Sequence, residues 1–148
     1  MLVFESEEQV IDYARKALQA RVLKKSFTDP AKVGEYLTTK LSSYEREVFG
    51  VLYLNNKNCV IAEEDLFFGG VDNSQVDIRE LVKHALVHNA KSVIIYHNHP
   101  SGVVDPSAQD RSVTSKVSDA LRHLDMKVLD HFVVGGGTYY SFAQHGEI

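Results

Sequence analysis

A short apolar segment that runs directly into two histidines constrains this chain more than any other feature. The residues SVIIY at positions 92–96 are followed at once by HNHPSG at positions 97–102. Because residues 92–96 are almost entirely apolar, they predict a strand that is buried on both faces and therefore lies in the centre of a sheet. The proline and glycine predict a sharp turn where the strand ends. Because side chains two apart on a strand point to the same side, His97 and His99 should point together and Asn98 away from them.

Two imidazoles that leave a strand together are typical ligands for a divalent transition metal, and zinc fits them best. Asp110 follows within the next helix and adds a carboxylate to the set. Three protein ligands would leave the fourth tetrahedral position open for water, which is the mark of a catalytic rather than a structural zinc site. The alternative is that His97 and His99 are only polar residues at a strand end beside a turn.

The residues Ser107-Ala108-Gln109-Asp110 also match a capping box, in which serine and an acidic residue satisfy free amides at a helix start. The two interpretations compete for Asp110, because a carboxylate that binds metal is poorly placed to reach back to the Ser107 amide. Ser107 can cap with its oxygen while its hydroxyl proton faces the metal pocket.

A strand predicted over Cys59–Phe68 carries three acidic residues, and the alternation of its side chains sorts them. One face holds Val60, Ala62, Glu64, Leu66 and Phe68, and the other holds Ile61, Glu63, Asp65 and Phe67. Glu64 therefore lies on the more apolar face, where we expect a raised pKa or a cationic neighbour. Glu63 and Asp65 are interpreted as charges on the solvent side. The alternative for Glu64 is a strand charge that is merely tolerated.

The order of predicted elements indicates an α/β fold with a mixed sheet. Helices are predicted at Glu7–Leu23, from Pro30 after a cap at Thr28 or Asp29, from Ile78, and over about Ser107–Leu124. Strands are predicted at Glu47–Leu54, Cys59–Phe68, Ser92–Tyr96, Lys127–Val134 and Thr138–Phe142. We expect residues 1–27 to form a helical appendage and residues 28–148 to form the main domain.

Composition limits the possible partners. The net charge is −4, whereas proteins that hold nucleic acid through its phosphates usually carry a basic surplus, so charge gives nucleic-acid binding no support. The single cysteine, Cys59, excludes an intramolecular disulfide and a cysteine-rich metal site, and it favours a reducing cytoplasm. No apolar run approaches the roughly 18 residues needed to span a bilayer, so no membrane partner is expected.

Other histidines are interpreted more simply. His84 and His88 lie four apart on a predicted helix and read as surface or interhelix residues, since no glutamate follows His84 as a zinc-protease helix would require. Asp130 and His131 read as strand residues at the rim of the core. The alternative is that they support a metal ligand from behind.

The pattern His97-x-His99-Pro100 and Ser107-x-x-Asp110, with Glu64 upstream, resembles the JAMM (MPN-plus) metalloprotease motif. The surrounding sequence segments resemble the bacterial RadC-type branch over about Leu37 to Ile148. These segments are LFFGGVDNSQVDIRELVKHAL, HNHPSG, DPSAQDRSVT, LDHFVVGGG and SFAQHG. The resemblance implies that His97, His99 and Asp110 bind zinc. It also implies that Glu64 is the general acid/base and that Ser107 stabilises the oxyanion.

The same resemblance implies a fold and an activity. The fold is a mixed sheet flanked by helices, the JAB/MPN architecture, which is similar to that of cytidine deaminases. The activity is zinc-dependent hydrolysis of a peptide, protein or isopeptide substrate. Longer RadC-type proteins carry a helix-hairpin-helix region. Its glycine-rich hairpins are not seen in this sequence, so the chain resembles the short, phage- or island-type version. The alternative is a non-catalytic module associated with protein or DNA, and exposed strand edges would permit a homodimer.

Overall fold

A computed structural model of the chain describes residues 1–23, 29–69 and 76–148. Its helices are α1 (Glu7–Leu23), α2 (Pro30–Leu41), α3 (Ile78–Val87) and α4 (Ala108–Arg122), and its strands are β1 (Val48–Leu54), β2 (Val60–Phe68), β3 (Ser92–Asn98), β4 (Lys127–Gly135) and β5 (Thr138–Ser141). The α/β class with a mixed sheet is confirmed. The expected domain boundary between residues 27 and 28 lies outside the described residues.

The apolar segment forms the central strand of a five-stranded sheet with the order β2-β1-β3-β4-β5. All seven residues of β3 are buried, as a strand covered on both faces requires. Helix α4 links β3 to β4, which is its parallel partner, whereas the remaining neighbours pair antiparallel. The strand runs two residues further than predicted, so His97 and Asn98 belong to the sheet itself.

Helices cover both faces of the sheet and divide the core into two clusters. On one face, α3 and α4 pack on Phe49, Val51, Val93 and Ile95. On the other face, α2 packs on Leu52, Leu54, Ile94 and Tyr96, and Leu18 of α1 packs against the same cluster. His97 follows Ile95 by two residues, so its side chain lies on the α3–α4 face.

Local sequence signals set the helix starts as predicted. Asp29 caps α2, where its side chain accepts from the Ala31 amide and Pro30 occupies the first turn. Asp77 caps α3 through the amides of Arg79 and Glu80. Across the described ranges, no helix combines the length and apolar composition that a membrane crossing requires.

The interpretation of Glu63 and Asp65 as solvent-side charges is wrong. Both face the α1–α2 layer around Lys40, whose side chain is only 7% exposed. Lys40 Nζ lies 3.0 Å from Asp65 and 3.5 Å from Glu63, and it also donates to the Tyr96 hydroxyl at 2.9 Å. The two carboxylates are therefore paired inside the fold by a cation from helix α2, which alternation along β2 could not reveal.

Candidate metal centre

The carboxyl end of strand β3 places the two histidines on one side of the sheet, as the sequence predicts. Asn98 turns the other way, where its Oδ1 accepts from the Val48 amide and its Nδ2 donates to the Arg46 carbonyl. This side chain thus fastens the start of β1 to the end of β3. His97 is completely buried and His99 is partly exposed at 18%, so the pair reaches from the core to the surface.

Asp110 is both a helix cap and a member of the histidine cluster, which corrects the expectation that the two roles compete. Its Oδ2 accepts from the Ser107 amide at 2.7 Å, and Ser107 Oγ accepts from the Asp110 amide at 3.0 Å, which completes a capping box. At the same time its Oδ1 lies 3.0 Å from His97 Nε2. The cap therefore orients the carboxylate toward the histidines.

Three ligand atoms converge at this point. His97 Nε2 lies 3.0 Å from His99 Nε2, and His99 Nε2 lies 3.3 Å from Asp110 Oδ2. Two ligands in a tetrahedral shell at 2.0–2.1 Å from zinc would lie about 3.3–3.4 Å apart. His97, His99 and Asp110 thus have the donor types and the mutual spacing of a three-ligand site.

The electrostatics of the cluster follow from its burial. Burial alone would raise the pKa of Asp110, but the hydrogen bonds of His97 and His99 outweigh it and hold the pKa far below its ordinary range. The hydrogen bond to Asp110 raises the pKa of His99 against the opposing effect of burial. The carboxylate is therefore ionised, and a positive charge is favoured beside it.

His131 contacts His97 from behind and is fully buried, so the interpretation of this residue as lying at the rim of the core is wrong. It is fully buried on β4, with Nε2 2.8 Å from His97 Nδ1 and Nδ1 2.6 Å from Thr114 Oγ1. Burial lowers the pKa of His131 well below its ordinary value, which keeps the ring neutral. A histidine inside the apolar strand KVLDHFVV was the available sequence signal.

The loop after β3 is shaped by the turn between β4 and β5. His99 Nδ1 lies 2.7 Å from the Val103 carbonyl, which can only accept, so this nitrogen carries the proton and leaves Nε2 free for the cluster. A Cβ at Gly135 would lie 2.9 Å from the His99 carbonyl oxygen, and a Cβ at Gly136 would lie 2.9 Å from that of Gly102. The glycines therefore permit the close approach of two backbones.

A small cavity of about 220 Å³ adjoins this loop. It lies between the end of α2 and the β4–β5 turn, and its lining includes Thr38, Leu41, His99, Pro100 and Gly136. Ser107 is exposed at the other side of the cluster, at the start of α4. The cluster is thus accessible from solvent through His99 and Ser107.

Glu64 lies on the same sheet face as His97, but its carboxylate is held by helix α3. His88 Nε2 is 2.5 Å from Oε1, and His84 Nδ1 is 3.1 Å from both oxygens. Burial would raise the pKa of Glu64, yet the hydrogen bonds of His88 and His84 lower it. Of the two expectations for Glu64, the raised pKa is not found, and the neighbours of its carboxylate are two histidines. His84 and His88 pair with this carboxylate, which their sequence interpretation missed.

A family model described as a RadC-like JAB domain matches residues 27–147. A UPF0758 protein of Janthinobacterium sp. (strain Marseille) is 46% identical over 142 residues, which cover 95% of this chain and 63% of that protein. UPF0758 protein YeeS of Escherichia coli (strain K12) is 44% identical over 142 residues, which cover 95% of this chain and 96% of YeeS. A UPF0758 protein of Actinobacillus succinogenes is 48% identical over 118 residues, which cover 80% of this chain and 54% of that protein. The chain thus spans nearly all of YeeS but only about half to two thirds of the other two.

Proposed function

The chain belongs to the family of RadC-like JAB domains, and from this premise we propose that it is a zinc-dependent hydrolase of peptide or isopeptide bonds. His97, His99 and Asp110 would hold the ion. The observation that carries the proposal is the convergence of two imidazole nitrogens and a carboxylate within 3.0–3.3 Å. Imidazole nitrogen and carboxylate oxygen are ligands that zinc prefers, and their spacing is close to that of one tetrahedral shell.

Zinc would supply Lewis acidity, which makes water a nucleophile near neutral pH and polarises a carbonyl group. A catalytic ion needs an open ligand position, and three protein ligands with an exposed rim at His99 provide one. His99 is the outermost ligand, so we expect substrate to approach past it.

Ser107 is the residue we assign to the oxyanion. Its Oγ accepts from the Asp110 amide, which leaves its own hydroxyl proton available to donate. Its exposure beside the ligands matches a hydrogen bond that forms only when a substrate carbonyl develops negative charge.

Glu64 is the residue we assign to proton transfer. The lowered pKa keeps its carboxylate ionised near neutral pH, which is the form a base requires. His84 and His88 now bind that carboxylate, so we expect Glu64 to exchange at least one of these contacts for water when substrate is present. The proton would then pass from Glu64 to the leaving nitrogen.

Zinc content tests the ligand assignment. We expect about one equivalent per chain in the purified protein, little in H97A, and an unchanged content in H123A, whose histidine is exposed directly after α4 and outside the cluster. Equal zinc content in H97A and H123A would refute the ligand set.

Turnover requires a separate assay, since the bond cleaved is defined here only by class. A peptide and isopeptide library incubated with the protein should give cleavage products by mass spectrometry that chelation abolishes. E64Q should bind zinc and release no product. Cleavage retained in E64Q would refute its role. Zinc binding without any cleavage would favour a non-catalytic module instead.

A further inference from the structure

Two side chains, those of Thr114 and His131, connect helix α4 to His97 through contacts of hydrogen-bond length. Thr114 Oγ1 lies 2.7 Å from the Asp110 backbone carbonyl and 2.6 Å from His131 Nδ1. His131 Nε2 lies 2.8 Å from His97 Nδ1. Two heavy atoms at these distances share one proton, so the positions of the protons can be worked out in sequence.

The Asp110 carbonyl determines the first proton, because a carbonyl oxygen can only accept. The Thr114 hydroxyl is the only donor in that contact, so its single proton points to the carbonyl. The contact between Thr114 and His131 must then take its proton from the imidazole. His131 therefore carries its proton on Nδ1.

Burial determines the rest of the chain of protons. His131 is fully buried, and its ring contacts a hydroxyl and a second imidazole. Neither partner supplies the negative charge that a buried imidazolium would need, so the ring is neutral and its Nε2 is bare. His97 must then donate from Nδ1, so Nε2, which lies 3.0 Å from Asp110 Oδ1, is the nitrogen that it offers to the metal site.

We propose that Thr114 and His131 are positioning residues which hold a proton on His97 Nδ1, so that His97 offers Nε2 to the metal. The effect on metal affinity rests on the proposed function, whereas the proton order belongs to the metal-free protein. Loss of an outer partner of a metal-binding histidine typically weakens metal binding about 10- to 100-fold. We expect a loss in this range when the Thr114 hydroxyl is removed.

Nitrogen NMR of the metal-free chain tests the proton order directly. Long-range proton–nitrogen correlations show which ring nitrogen of each histidine carries a proton. We expect His97 and His131 both to carry the proton on Nδ1. A His97 Nδ1 without a proton in the wild-type protein would overturn the proposal.

A matched pair of variants tests the effect on zinc. T114V removes the hydroxyl and keeps the branched shape, whereas T114S keeps the hydroxyl and removes a methyl group. In competition with a chromophoric chelator, we expect T114V to bind zinc about 10- to 100-fold more weakly and T114S to stay close to wild type. The His97 correlations should report a mixture of forms in T114V alone.

The outcomes separate this inference from the proposed function. Equal zinc affinity in T114V and wild type would overturn the inference and leave the metal site intact. An equal loss in T114S and T114V would also overturn it, because shape rather than the hydroxyl would then matter. Absence of zinc from wild type would overturn the proposed function and the effect on affinity together. Should T114V not fold, the wild-type NMR experiment still decides the proton order.

Discussion

Lys40 offers the sharpest test of the packing described here, because it is a buried cation whose removal leaves two carboxylates behind. Its Nζ lies 3.0 Å from Asp65 and 3.5 Å from Glu63, and the three side chains are 7–21% exposed. Replacement by methionine keeps the length of the side chain and removes the charge. The change in the free energy of unfolding therefore reports the electrostatic contribution of the ammonium group.

The magnitude follows from what the carboxylates retain. Removing one partner of a buried ion pair costs about 3–5 kcal/mol. Asp65 keeps hydrogen bonds from the Tyr44 and Tyr96 hydroxyls, and Glu63 keeps those from the Tyr36 hydroxyl and Gln19 Nε2. These donors place K40M at the lower end, about 3 kcal/mol, which lowers the Tm by about 6–12 °C.

Urea denaturation at pH 7 measures the loss, and Lys16 provides the control. Lys16 pairs with Asp12 on the surface of α1 and is 66% exposed, so K16M should cost less than about 1 kcal/mol. Burial would raise the pKa of Asp65, but Tyr44 and Lys40 lower it. Its contribution is therefore present above pH ~4 and lost as the pH falls through the lowered pKa. A K40M loss no larger than that of K16M would refute the argument.

Three further predictions concern the candidate site. Zinc at a hundred times its Kd should raise the free energy of unfolding by about 2.7 kcal/mol, which raises the Tm by about 5–10 °C. A similar rise of the Tm in H97A would contradict the ligand assignment. S107A should lose about 0.5–2 kcal/mol in urea denaturation through the missing cap of α4. The exposed S101A control should lose less, since Ser101 Oγ accepts only a long bond of 3.4 Å from the Val103 amide. Because the pKa of Glu64 is lowered, the stability difference between wild type and E64Q should be present at pH 6 and shrink as the pH falls below about 4. Urea titrations that show the reverse trend would exclude the pairing of Glu64 with His84 and His88.

The central strand and its histidines could be predicted because their signals are local. An apolar run followed by a proline and a glycine specifies both a buried strand and its end, and alternation then places His97 and His99 on one side. Asn98 pointed away, as the same alternation requires. The strand continued to Asn98 because pairing with β1 and β4 extends past the last apolar residue.

The partners of the acidic residues could not be predicted, because they come from remote elements. Alternation along β2 correctly separated Glu64 from Glu63 and Asp65, but it could not show that α2 brings Lys40 over one face. Nor could it show that α3 brings His84 and His88 over the other.

Asp110 was ambiguous for a different reason. Both the cap and the ligand interpretation were sound, and only the geometry shows that Oδ2 accepts from the Ser107 amide and also lies near His99, while Oδ1 faces His97. His131 was similarly hidden, since its partner His97 lies on a neighbouring strand 34 positions away.

The tight contact between the β4–β5 turn and the loop after His99 has a consequence for engineering this domain. Epitope tags and random sequences are commonly placed in hairpin turns because such turns tolerate change. Here a graft at Gly135 or Gly136 would push directly on the peptide units of His99 and Gly102. At Gly137 the added atom would meet open space, although a φ of +77° still penalises other residues there. This hairpin is a poor choice of insertion point, despite its position at the surface.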